Sequence, residues 1–137
     1  MKPVQYLNPE GACPAQGLYS HATRVAAGDL LFVAGQLAVG ADGNVVGKGD
    51  FERQFAQVFA NLGDVLRGLG AGWGDVVKFT TFLVHSQDIE AFMRLRAALF
   101  PRLYEGAVYP PNTLLVVDRL VKEDFLFEVE AVVRAPG

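Results

Sequence analysis

Glu128 and Glu130 lie two residues apart in an otherwise apolar run, Phe125-Leu126-Phe127-Glu128-Val129-Glu130-Ala131-Val132-Val133. β-Branched and aromatic residues fill the run and no Gly or Pro interrupts it, so a strand is predicted. Alternation puts Phe125, Phe127, Val129, Ala131 and Val133 on one wholly apolar face and Leu126, Glu128, Glu130 and Val132 on the other. Carboxylates on strands are usually wet, and two in solvent would signify little. In a cleft or between subunits, burial and mutual repulsion raise at least one pKa, and the pair becomes a candidate acid–base.

Other chemistries lack their residues. His21, His85 and Cys13 are too few and too scattered for a metal site, and no cofactor is expected. Ser20 and Ser86 are the only serines; neither lies in a nucleophile elbow. Ser20 and His21 are neighbours on a predicted strand, so their side chains point to opposite faces. The glycines between Gly40 and Gly49 lack the Lys-Ser/Thr ending of a P-loop and the spacing of a dinucleotide fingerprint. A carboxylate able to move a proton or position water is what survives.

The totals set the frame for that carboxylate. One domain is expected over residues 1–137, with 51% hydrophobic and 20% charged residues. That apolar fraction is high for a monomer of this size and points to surface buried between subunits. The net charge of −3, without a Lys/Arg cluster, argues against a nucleic-acid partner. A single cysteine excludes an intrachain disulfide framework. No apolar run nears the ~20 residues of a membrane span, and the N-terminus lacks a signal-peptide core. A soluble, cytoplasmic protein with no membrane partner is the expectation.

The elements that must position the carboxylates follow in order. Residues 1–16 are predicted to be mostly loop. Leu18–Ala26 and Leu30–Gln36 are predicted strands of a hairpin about Gly28-Asp29. Gly35 marks a place where another backbone or a ligand can approach closely. Asp42-Gly43 suggests a small second hairpin. Asp50 caps a helix whose apolar stripe is Phe51, Phe55, Val58, Phe59, Leu62, Val65, Leu66 and Leu69, closed by Gly70. Its solvent face carries Glu52, Arg53, Gln57, Asn61, Asp64 and Arg67. Val76–Val84 reads as a covered interior strand. A second helix, capped by Ser86 or Asp88, runs to Phe100, and Pro101 ends it or falls just beyond it. Asn112–Leu120 is the penultimate strand. This order is α+β: two helices cover one face of a mixed sheet. No third helix exists for the other face, so oligomerisation through it is the economical cover.

Three of these stretches together resemble the Rid family (reactive intermediate deaminase, YjgF-type). They are the Leu18–Gln36 region with Phe32-Val33-Ala34-Gly35, the Phe51–Leu69 helix leading into Asp75–Leu83, and the ending Phe127-Glu128-Val129-Glu130-Ala131. The match is collinear from about residue 17 to 133. The resemblance implies a chorismate-mutase-like fold and a homotrimer with three clefts between subunits. For the best-known branch it implies hydrolysis of enamine/imine intermediates to keto acids and ammonia. It sets Tyr19 at the cleft tyrosine, Gly35 at the glycine beside the ligand and Glu128 at the carboxylate that handles water. Ala34 replaces a common serine and Leu114 a common cysteine. Asn112 stands where the deaminase branch carries the arginine that clamps the substrate carboxylate, so the chain looks closer to arginine-lacking branches. Asn112 cannot replace a bidentate cation, so action on carboxylate-bearing imines is expected to be weak or absent.

Two readings remain. One is a hydrolase or deaminase-like enzyme acting on a small molecule, with Glu128 as the base and Tyr19, Gly35 and Asn112 binding substrate. The other is a non-catalytic small-molecule-binding or interaction protein that keeps the trimeric cleft. Ribonuclease activity has been attached to the family; the acidic composition argues against it here.

Overall fold

A computed structural model describes residues 2–137. Its elements are β1 (Val4–Leu7), β2 (Ala22–Val25), β3 (Leu30–Gln36), α1 (Phe51–Gly68), β4 (Val76–Leu83), α2 (Asp88–Leu103), β5 (Asn112–Val116) and β6 (Phe127–Arg134). A four-stranded sheet has the order β3-β6-β4-β5. Strands β4 and β5, joined through α2, are parallel; β6 runs antiparallel to both β3 and β4. Both helices pack on one face, which is the α+β arrangement expected.

The core is largely aromatic. Phe127 meets Phe51 and Phe55 of α1 with ring centroids 5.4 Å apart in both cases, and Phe92 of α2 at 5.7 Å. Phe127, Val129, Ala131 and Val133 are buried against the helices as alternation requires. The helix stripe holds too: Phe51, Phe55, Val58, Phe59, Leu62 and Leu66 are buried. The Asp50 carboxylate accepts from the Arg53 amide. The Gly70 amide donates to the Arg67 carbonyl and the Ala71 amide to that of Leu66, closing the helix in a Schellman motif. Trp73 packs on Phe59 and Phe79.

Several expectations are corrected. The N-terminal segment is not all loop, because Val4–Leu7 pairs antiparallel with Ala22–Val25 in a separate two-stranded sheet. Met1, the first residue of that expected loop, lies outside the described residues. The hairpin about Gly28-Asp29 does not pair on itself either: β2 takes β1 as partner, and β3 takes β6. The Tyr6 hydroxyl and the Thr23 hydroxyl donate to the Val76 and Val77 carbonyls, fastening the small sheet to the start of β4. The Asp42-Gly43 turn closes with only an isolated bridge, Val39 to Val45. Pro101 lies inside α2, which continues to Leu103, and the α2 N-cap is Gln87 without a side-chain bond. Strand β5 stops at Val116 rather than Leu120. Leu69, read as core, is 43% exposed at the helix end.

Two polar residues of α1 work inside. Asn61, read as solvent-facing, donates to the Leu37 and Val39 carbonyls and holds the segment that follows β3. Gln54 is fully buried: its amide nitrogen donates to the Gly47 and Asp124 carbonyls, and its oxygen accepts from the Leu126 amide. Gln54→Leu is expected to cost about 2–4 kcal/mol in chemical denaturation, because it strands three buried backbone groups. A variant as stable as the parent would show that water replaces those bonds.

Candidate functional site

The carboxylate strand lies at the centre of the site. Because Phe127 and Val129 turn to the helices, Glu128 must project from the opposite sheet face, as must Phe82, its register partner on β4. No helix covers that face among the described residues, and it displays Leu30, Phe32 at 78% exposure and Leu115. Glu128 is half-buried, in a cavity of about 400 Å³ that Gly35, Phe82, Arg119, Leu120 and Glu130 also line. Glu130 is exposed. Removal from water, and secondarily the like charge of Glu130, push the Glu128 carboxyl above the ordinary carboxylate range.

Gly35 sits directly on this carboxylate. The β3–β6 register shifts between Val33 and Gln36, so the β3 backbone bulges there. A Cβ on Gly35 would run into Glu128 Oε2 and stand 2.7 Å from its Cδ and 2.9 Å from its Cγ. Only a residue without a side chain admits the carboxylate at this spot.

Tyr19 and Asn112 are elsewhere. Asn112 is the register partner of Phe79 and so shares the helix-side face of the sheet, where its Oδ1 accepts from the Thr81 hydroxyl at 2.7 Å. With Tyr19, Met93, Thr113 and Leu114 it lines a second cavity, of about 300 Å³. The Tyr19 hydroxyl accepts from the Gln16 amide at 3.1 Å. Within one chain the four residues predicted for the site thus form two pairs, Glu128 with Gly35 and Tyr19 with Asn112, on opposite sides of the sheet.

The second cavity contains a residue that the sequence reading passed over. Arg96 of α2 lines it and is 1% exposed. The signal was available: Phe92, Arg96 and Phe100 recur at i, i+4 and i+8, which is the buried stripe of an amphipathic helix. Met93 and Arg96 share the same helix face by the i, i+3 rule, and Arg96 Nη2 donates to Met93 Sδ at 3.0 Å. The groove between the helices is lined by Phe55, Phe59, Leu95 and Leu99, and its one charged lining residue, Arg102, is exposed rather than buried.

Among the described residues, no group of three or more His, Cys, Asp or Glu is arranged to hold a metal ion. None of the described helices is long and apolar enough to cross a membrane. Cys13 is exposed. His21 Nε2 lies 2.6 Å from the Cys13 carbonyl oxygen, a local tie within the segment between β1 and β2.

Sheet order, the pair of helices on one face and the carboxylate on the other define a chorismate-mutase-like α+β domain of the Rid kind. The model of the family described as Endoribonuclease L-PSP matches residues 10–135. The chain is 37% identical over 121 residues to a RutC family protein of Synechocystis sp., covering 88% of each chain. It superposes with a TM-score of 0.85, at 36% identity, on the crystal structure of YyfB from Yersinia pestis, a protein of unknown function of the conserved Rid protein family. That superposition covers 97% of this chain and 99% of the other. Reactive Intermediate Deaminase A, chloroplastic, of Arabidopsis thaliana is 28% identical over 120 residues, or 83% of this chain and 63% of that protein. The chain belongs to the Rid (YjgF-type) family.

Proposed function

We propose that the protein is a Rid-like small-molecule hydrolase acting on enamine/imine-type compounds in a cleft between subunits of a homotrimer. The seat of Glu128 carries the reading: a half-buried carboxylate against the Gly35 backbone, its proton affinity raised, in a cavity that opens on an uncovered sheet face. The two half-sites support the oligomer. Glu128 with Gly35 and Tyr19 with Asn112 lie on opposite faces of one sheet, so a cleft holding all four needs the contribution of a second copy. The exposed Phe32 and Leu115 on the open face are apolar surface of the sort a subunit contact buries.

The chemistry asked of Glu128 is modest. Its carboxylate takes a proton from water as the water oxygen bonds to the carbon of the N-protonated imine, whose C=N π pair moves to nitrogen, giving a neutral carbinolamine. The carboxylic acid then returns that proton to nitrogen, the C–N bond breaks, and the hydroxyl proton passes to the departing ammonia, releasing the carbonyl product and ammonium. A raised pKa suits a group that must first accept the proton and then give it back near neutral pH. The relative from Arabidopsis named as a reactive intermediate deaminase supports this class of reaction.

Two measurements test the reading together. Light scattering is expected to give three times the chain mass at micromolar concentration, and an imine panel is expected to include compounds whose ammonia release the protein accelerates. A stable monomer would remove the shared cleft. A trimer that hydrolyses no imine would favour a binding protein.

A further inference from the structure

We propose that Arg96 is the anion-binding residue of the Tyr19–Asn112 cavity and that it selects ligands carrying a carboxylate. The inference rests on the functional reading above, to which it adds the substrate class. Asn112 brings no charge, and the expectation of weak action on carboxylate-bearing imines was drawn from that position alone. Arg96 reverses it, because the charge enters the same cavity from α2 instead of β5.

Arg96 is buried without a counter-ion. It belongs to none of the ion pairs among the described residues. Its Nε and Nη1 have no hydrogen-bond partner there. What holds the guanidinium is weak: the Phe92 ring, 4.8 Å from Cζ, and the Met93 sulfur on Nη2. Gly17 lies against it, since a Cβ there would run into Nη2 and stand 3.5 Å from Cζ. Burial lowers its pKa to about 10, which leaves it charged at neutral pH. A buried cation is costly unless an anion meets it.

Of the other polar groups that line the cavity, the Thr113 hydroxyl can donate or accept, and Asn112 and Tyr19 have donors to offer. With Oδ1 engaged by Thr81, Asn112 has its amide hydrogens to offer. The Tyr19 oxygen accepts from Gln16, which leaves its O–H. Arg96 Nε–H and Nη1–H lie enclosed at the cavity wall without partners, and with the Asn112 and Tyr19 donors they suit an acceptor-only ligand group that displaces their cover. One positive charge matches a monoanion, and a guanidinium fork matches the planar carboxylate. A doubly charged phosphate would be half-compensated.

The test titrates the full chain with pyruvate, pyruvamide and inorganic phosphate by calorimetry. Pyruvate is expected to bind at least about tenfold more tightly than the isosteric amide, and more tightly than phosphate. Arg96→Met, which keeps length and apolar packing, is expected to erase the acid–amide preference without lowering the thermal midpoint. Arg96→Lys should retain part of it. Should Arg96→Met not fold, the parent's own preference and a pyruvate-specific shift of the Arg96 Nε–H resonance decide. Equal binding of acid and amide, no binding of either, preference for phosphate, or a preference that survives in Arg96→Met would overturn the assignment. Binding is read without turnover, so an inactive Glu128 bears on the hydrolase reading and not on this one.

Discussion

Replacing Glu128 by Gln is expected to lower kcat by about two to four orders of magnitude, the range for removing a positioned general base. The amide keeps the shape and can still hydrogen-bond, but it cannot take a proton from water. The fold should survive, because Glu128 projects from the sheet face away from the aromatic core, and the oligomer should survive because the amide matches the carboxylate in shape. Stability should not fall. Burial and Glu130 raise the Glu128 pKa, so the folded chain holds this proton more tightly than the unfolded chain. Stability therefore declines as pH rises from the unfolded to the folded pKa, and the penalty is complete above the latter. The Gln variant escapes it, and its thermal midpoint at pH 7 should equal or exceed the parent's, with the gap closing as the pH falls into the ordinary carboxylate range. Glu130→Gln supplies the complementary measurement. Removing the neighbouring like charge lowers the Glu128 pKa, so the acid limb of the kcat/KM profile should move to lower pH while kcat stays near the parent value. Parental kcat in Glu128→Gln, on a substrate the parent hydrolyses, would remove Glu128 from the mechanism.

Gly35→Ala should cost activity about a hundredfold through one methyl group. The added Cβ occupies the space of the Glu128 carboxylate, and its contacts reach back to Cδ and Cγ. The atoms in its way end a flexible side chain, so the fold yields by rotating Glu128 out of its seat rather than by opening the sheet. A carboxylate displaced by about an ångström is enough for a loss of that size. The acid limb of the pH profile should also fall toward the ordinary carboxylate value, because the displaced group regains water. A Gly35→Ala protein that keeps both kcat and pH profile would show that the close packing of Gly35 on Glu128 is incidental. Loss of folding would instead place the strain in the β3 backbone, which circular dichroism would detect.

Features that depend on near neighbours in the chain were legible from residue order. The stripe from Phe51 to Leu66, the Asp50 cap and the Gly70 closure of α1 rest on contacts three to five residues apart, and they appear as read. The alternation of β6 decided which side of the sheet carries Glu128, because a period of two allows no other assignment once Phe127 is in the core. The class of fold followed from counting two apolar helix stripes against one sheet. Partner choice did not follow. The turn at Gly28-Asp29 is present, but β2 and β3 find β1 and β6, since strand pairing is settled by which edges meet in three dimensions and not by which strands are adjacent in the chain. Asn61 read as a solvent-facing position of the helix, and Gln54 was assigned to neither face; only packing showed the carbonyls they must satisfy. The same holds for the site. Glu128, Gly35, Tyr19 and Asn112 were named from the sequence and its resemblance to the Rid family, but their division between two sheet faces is a property of register. Arg96 was hidden for a related reason. A charged residue in a helix is ordinarily solvated, and its periodicity with Phe92 and Phe100 gains meaning only when the tertiary fold closes Gly17, Tyr19 and β5 around it.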